Sequence, residues 1–242
     1  KLKATEIKIN LDAFKTELLN IKPKPVSYEH VLTYIRNKGY SEKFCKIIEL
    51  SNESDGPVFI FSNWLQFGVE ALSVILDACG YVKYTGNNKE QDKPKYFIWN
   101  SETSQDKDLV SKAKAQFNSL ENKNGSKLKI ILGTRSIMEG VSFKNVKQVH
   151  ITDPWWNESR IEQILARAVR FCSHSQLPLE EQWTDIYRHY SILPLVNDPE
   201  LTEALLEASG SKKFKSFNQF TIEQKMLRSS LKKSLINSEF DD

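Results

Sequence analysis

Between Pro57 and Phe171, short apolar runs alternate with amphipathic stretches, and this alternation constrains the fold more than any other feature. Pro57-Val58-Phe59-Ile60-Phe61, Tyr96 to Trp99, Lys129 to Leu132 and Gln148 to Ile151 have the length and composition of buried strands. Three helical patterns lie between or after them. One runs from about Trp64 to Ala78, with Leu65, Val69, Leu72 and Leu76 spaced 4, 3, 4 and Gly80 closing it. The others run from about Asp106 to Leu120, followed by a turn over Asn122 to Ser126, and from about Glu158 to Phe171. Asp185 to Ile192 is a candidate fifth strand. Strands that are apolar throughout need cover on both faces, so the pattern predicts an α/β fold of three layers around a mostly parallel sheet.

The flanks are helical. Leu11 to Leu19 predicts a short helix stopped by Pro23 and Pro25. Ser27 to Asn37 predicts another, with Ser27 as cap, Val31, Leu32 and Ile35 as the apolar face and Gly39 at the end. A third covers Ser41 to Leu50. Beyond Pro194 the alternation stops. Pro199 to Ala208 predicts an acidic helix, and Thr221 to Asp242 a long one. The long helix carries capping-box spacing at Thr221 and Gln224. Its stripe of Ile222, Met226, Leu227, Leu231, Leu235 and Phe240 would pack on the domain or on a partner. The expected organisation is an N-terminal helical or linker segment (1–40), a central domain (41–194) and a helical C-terminal extension (195–242).

Composition excludes several classes. With 242 residues, 40% apolar and 27% charged, the chain can bury a core and is not a disordered segment. No run approaches the ~18 apolar residues of a spanning helix. No secretory leader is visible, so the expected location is intracellular. The first residue is Lys, which suggests a fragment of a longer chain. Three cysteines and four histidines show neither disulfide nor metal-ligand spacing. The net charge of +3 is unevenly spread. Residues 1–50 carry ten basic against six acidic side chains, and residues 178–210 one against seven. Charge alone therefore does not identify a nucleic-acid binder.

The chemistry concentrates in Ile131 to His174. In open parallel sheets ligands sit beyond the carboxyl ends of the strands. The loops Gly133 to Phe143 and Asp153-Pro154-Trp155-Trp156-Asn157 both leave from such ends. On the helix after them, Gln163, Arg167 and Arg170 share one face, with Arg160 adjacent, while Ile161, Ile164, Leu165, Ala168 and Val169 form the other. Two guanidiniums at i and i+3 can neutralise charge developing on a transferred phosphoryl group. A plain solvated basic face is the alternative.

The residues Gln163-Ile164-Leu165-Ala166-Arg167-Ala168-Val169-Arg170 resemble motif VI of superfamily 2 helicases. Thr134, Gly140 and Ser142 resemble motif V, and Val58 to Asn63 motif IV, all in the family's order. The stretch from Asp153 to Asn157, Arg170-Phe171-Cys172-Ser173-His174 with Leu177-Pro178, and the helix from Thr221 are similar to helicases and early-transcription ATPases of large DNA viruses. The resemblance implies the second RecA-like lobe of an ATP-driven motor. Arg167 and Arg170 would be arginine fingers, and Gln163 would position the γ-phosphate or the attacking water. Glu139, Gly140 and Ser142 would face the nucleotide. Ser62, Asn63, Ser101, Thr103 and Thr134 would hold the nucleic-acid backbone.

Two residues depart from the family pattern: Ala166 stands where Gly is usual, and Ser142 where Asp or Asn is common. The chain contains no G-x-x-x-x-G-K-[ST] and no D-E-x-[HD] run. The expectation is therefore that ATP and Mg are bound mainly by an upstream lobe and that this chain alone does not hydrolyse ATP. Expected partners are DNA or RNA, that upstream lobe, and a protein or a second copy through the C-terminal helix, with no membrane. If the chain is viral, its location would be the host cytoplasm, a viral factory or the virion. Two other readings stay open: an ATPase lobe of a viral early-transcription initiation or termination factor, and a degenerate RecA-like module that only binds nucleic acid or protein.

Overall fold

The computed structural model describes residues 4–21, 27–86, 92–138, 141–191 and 221–238. Six strands form one sheet in the order β2-β3-β4-β1-β5-β6, every neighbouring pair parallel. They are β1 (Val58–Phe61), β2 (Val82–Lys83), β3 (Lys95–Trp99), β4 (Ile130–Gly133), β5 (Gln148–Ile151) and β6 (Asp185–Arg188). β1 lies inside the sheet, with Val58 opposite both Ile130 and Gln148, and Phe61 opposite both Gly133 and Ile151. The chain leaves β1 for the β2 edge, works back to β4, then crosses β1 to reach β5. The two crossovers leave β1 and β4 in opposite directions along the sheet, which is the condition for a crevice at their carboxyl ends.

Strand residues alternate between two cores. Val58, Ile60, Tyr96, Ile98, Ile130 and Leu132 pack under a helical layer. That layer is α1 (Ala4–Leu19), α2 (Tyr28–Asn37), α3 (Glu42–Glu53) and α4 (Ala71–Ala78). Ser27 and Ser41 cap α2 and α3 by accepting the backbone N–H of His30 and Phe44. The other face is aromatic. Phe143 is the hub, with ring centroids 5.1 Å from Phe59, 6.1 Å from Trp99 and 5.2 Å from Phe117. Phe117 belongs to α5 (Lys107–Asn118). The three-layer α/β expectation therefore holds.

Several boundaries move for local reasons. The helix expected over 64–78 is a π-helix (Leu65–Glu70) running into α4. The wide turn brings Gly68 so close to Ser62 that a Cβ there would lie 2.1 Å from its hydroxyl oxygen. The helix expected over 106–120 is the shorter α5, capped by Asp106 and preceded by a 3-10 turn (Thr103–Gln105). The helix expected to reach Phe171 is α6 (Glu158–Ala168). Its Arg167 carbonyl, which would accept the Phe171 N–H in a longer helix, accepts the Phe143 N–H at 2.8 Å instead. Cys172 follows at φ 62°. α1 begins well before Leu11. β2 has only two residues and no apolar run to betray it.

The chain divides into two compact units, 1–153 with 159–189, and 154–158 with 190–242. In the second, α7 (Ile222–Ser238) has Ile222 and Leu231 largely exposed, so those two members of the expected stripe are not packed away. The Thr221 hydroxyl donates to the Ser191 carbonyl at 2.6 Å. Ser230 on α7 donates to Glu158 at 3.1 Å. The predicted acidic helix over 199–208, and Phe240, fall outside the described residues.

The buried His150 of β5 meets the half-buried His189, just past β6. His150 Nε2 donates to Gln148 (3.2 Å), leaving Nδ1 to accept the Nε2–H of His189 (2.9 Å), and the His150 ring stacks on Tyr187. Burial, with each neighbouring charge adding to it, pushes His150 down to about 3 and His189 down to about 4. Both rings are neutral in the fold, whereas the unfolded chain takes up their protons below about pH 6.5. Their contribution to stability is thus complete above about pH 6.5 and falls away as the pH drops toward 4. His150→Asn should flatten the stability–pH slope in this window by about one proton, about 1.4 kcal/mol per pH unit, in denaturant melts at stepped pH.

Candidate motor-lobe site

Parallel pairing in register sets the loops after β3, β4, β1 and β5 side by side on one edge of the sheet. Backbone bonds carry the pairing into the loops themselves. Thr134 N donates to the Trp99 carbonyl, Ser62 N to Gly133 and Thr152 N to Phe61, each at 3.0 Å. The residues expected to hold a nucleic-acid backbone therefore come together, although distant in sequence.

The side chains divide into braces and free groups. Ser62 is buried, and its hydroxyl donates to Asp153 Oδ2 at 2.6 Å while accepting the Trp64 N–H at 3.1 Å. The same carboxylate oxygen accepts Asn63 N at 3.0 Å and lies 2.8 Å from the Thr152 hydroxyl. Asp153 thus joins the β1 and β5 loops. Thr134 is buried too, with its hydroxyl near the Trp99 carbonyl and the Ser136 hydroxyl. Thr103 exchanges bonds with Asn100: its hydroxyl accepts Asn100 N at 2.9 Å and its N–H donates to Asn100 Oδ1 at 2.8 Å. The hydroxyls of Ser62, Thr134 and Thr103 are therefore occupied by the loops themselves. Ser101 is exposed, and both polar atoms of the Asn63 amide are buried without a partner.

A second group gathers where α6 ends. Arg170 Nη1 donates to the Ser142 hydroxyl at 2.6 Å. Asn118 fixes this loop from α5, donating to the Ser142 carbonyl at 3.1 Å and accepting Lys144 N at 2.9 Å. His174 braces the far side through the Val146 carbonyl, 2.9 Å away. Arg167 is half-buried and Gln163 exposed on α6. Arg160 is held below the ordinary arginine value by burial and then by the Arg135 guanidinium, so a second positive spot joins the loop after β4 to α6. Ala166 is exposed, so its methyl is no burden on the core. Glu139 and Gly140 fall outside the described residues. Among the described residues no three His, Cys, Asp or Glu gather as metal ligands.

Comparison with known proteins settles the family. The profile described as "Helicase conserved C-terminal domain" matches residues 40–172. The chain belongs to the helicase C-terminal domain family. Its α/β fold is the RecA-like one that the motif order implied. It is 38% identical over 164 residues to a protein of Acanthamoeba polyphaga mimivirus described as an ATP-dependent RNA helicase, covering 67% of this chain and 28% of that one. It is 24% identical over 269 residues to a termination factor NPH-I homolog of African swine fever virus, covering 96% of this chain and 36% of that protein. Among solved structures, T4 UvsW is similar over 92% of this chain and 36% of that chain, at 15% identity and a TM-score of 0.45. The chain thus spans about a third of these relatives' length. No helix among the described residues is long and apolar enough to cross a membrane.

Sequence reasoning missed Asp153, Asn100 and Asn118 as the residues that hold the loops in place. An Asp just after a strand, at the carboxyl edge of a parallel sheet, was the available sign. Asp153→Ala should cost about 2–4 kcal/mol in urea unfolding, because the Ser62 hydroxyl and the Asn63 N–H lose their acceptor. Asp153→Asn, which keeps one acceptor oxygen, should lose less.

Proposed function

We propose that this chain is the second motor lobe of an ATP-dependent superfamily 2 nucleic-acid helicase or translocase. The observation that carries the reading is the Arg170–Ser142 bond, which presets a guanidinium at the junction of α6 and the loop leaving β4. An arginine fixed in this way can meet developing negative charge without first being ordered. An upstream lobe would bind the triphosphate and its magnesium. On closure Arg170 and Arg167 would neutralise charge on the γ-phosphoryl group, and Gln163 would orient it or the attacking water. Transfer of the γ-phosphoryl group to water and departure of the resulting inorganic phosphate would remove that anion and release the lobe.

On the sheet edge Asp153 and Asn100 keep the loops rigid. Ser101 and, once its loop opens to release it, the buried and unpartnered Asn63 amide would then grip a strand through its phosphates. Such contacts position a strand without reading its sequence. Alone, the lobe should not turn over ATP.

A second reading has its own support. The similarity to the African swine fever virus termination factor homolog extends over 96% of this chain, beyond the family match at 40–172. The same motor would then act on a transcribing polymerase rather than unwind a duplex.

The test is ATP hydrolysis by the full-length protein with and without single-stranded DNA or RNA. Arg170→Ala should lower strand-stimulated kcat by about a thousandfold or more, as loss of an arginine finger does. Ser142→Ala, which only frees the guanidinium, should lower it by about tenfold, the equivalent of one hydrogen bond. Turnover indifferent to Arg170 would sink the motor reading and leave a binding module.

A further inference from the structure

Away from the sheet edge, a groove of about 890 Å³ runs between α1, α3 and the π-helix with α4. Its walls are apolar: Leu11, Phe14, Tyr40, Phe44, Phe67 and Ile75. Phe67 is 64% exposed and Tyr40 47%, an unusual display for aromatic rings on one surface. Phe67 lies on the π-helix. Tyr40 is held rigidly, donating to Glu17 at 2.8 Å and meeting the Phe14 ring edge-on at 5.2 Å.

Among the described residues, every charged side chain in the lining is acidic: Asp12, Glu17 and Glu70. Glu17 is occupied by the Tyr34 and Tyr40 hydroxyls, which hold its carboxyl below the usual range. The Asp12 and Glu70 carboxylates have no hydrogen-bond or ion-pair partner among the described residues. A smaller cavity of about 430 Å³ shares Leu11, Asp12 and Glu70 and continues the groove past Glu102 and Asp106, with Lys15 and Lys83 on its border. One wall is α1, which precedes the family match at residue 40, so the groove joins the common domain to a helix that the family model does not include.

We propose that this groove docks a basic amphipathic helix of a partner protein. Its apolar face would lie between Phe67 and Tyr40, and its Lys or Arg side chains would meet Asp12 and Glu70. An apolar trough of this kind is the receptor side of helix-in-groove recognition. The acidic rim selects a basic helix and repels a phosphate backbone, so the surface is distinct from a nucleic-acid track. Two unspent carboxylates beside exposed aromatics are the complement of that one chemistry.

The test uses fluorescein-labelled 18-residue helical peptides and the 242-residue chain, read by anisotropy. One peptide carries Leu at i, i+3, i+4 and i+7 spacing with Lys elsewhere, and the other replaces each Lys by Glu. The Lys peptide should bind about tenfold or more tighter than the Glu peptide, and salt should narrow the gap. Phe67→Asp should weaken it about tenfold, and Asp12→Lys with Glu70→Lys should reverse the preference. These positions are exposed or half-buried, and unchanged melting curves will show that the variants fold. Equal binding of both peptides, no binding, indifference to all the variants, or displacement of the Lys peptide by a single-stranded oligonucleotide would each overturn the proposal. So would concentration-dependent dimers lost in Phe67→Asp, which would give the groove to a second copy. No ATP is involved, so failure here leaves the motor reading untouched.

Discussion

One carboxylate oxygen, Oδ2 of Asp153, ties the carboxyl edge of the sheet together. It takes the hydroxyl of Ser62 and the N–H of Asn63 from one strand end and lies against Thr152 at another. An unpaired backbone group in the loops at this edge costs as much as a lost hydrogen bond. A charged acceptor shared by several donors is the strong form of such a tie. The π-helix that follows packs against the same serine, since Gly68 approaches Ser62 more closely than any side chain would allow.

The same economy governs the second cluster. Asn118 grips the Ser142–Lys144 backbone from α5, and the Phe143 ring below is locked into an aromatic layer reaching Phe59 and Trp99. Because Phe143 also draws the Arg167 carbonyl, α6 stops at Ala168 and Arg170 lies past its end. The guanidinium is therefore placed by the loop as much as by the helix. A purely helical spacing argument cannot see that.

How much the sequence revealed follows from which forces are local. β1, β3, β4 and β5 were legible because each is an apolar run, and α2 and α3 because a serine cap and an apolar face coincide. β2 was not, since two residues make no pattern, and the π-turn hid inside an acceptable 4, 3, 4 spacing. At the site, the structure sets Arg170 against Ser142 and engages the hydroxyls of Ser62, Thr134 and Thr103 among the loops themselves, a pairing that spacing along the chain does not encode. Ser62, Thr134 and Thr103 brace their loops through partners that lie in other segments or across a turn. Long-range acceptors such as Asp153, 91 residues from Ser62, carry no periodicity to read.

Gly133 is the last residue of β4, and a Cβ there would sit 2.9 Å from both Ile137 and Phe59. The point where strand becomes functional loop is therefore also the point where the loop's first turn is pressed onto the aromatic layer. Substitutions that enlarge or reshape residue 59 or 137 cannot drift independently of each other or of the glycine. Variation in this lobe should therefore be channelled into the loop tips, where residues can change without disturbing the layer that aims them.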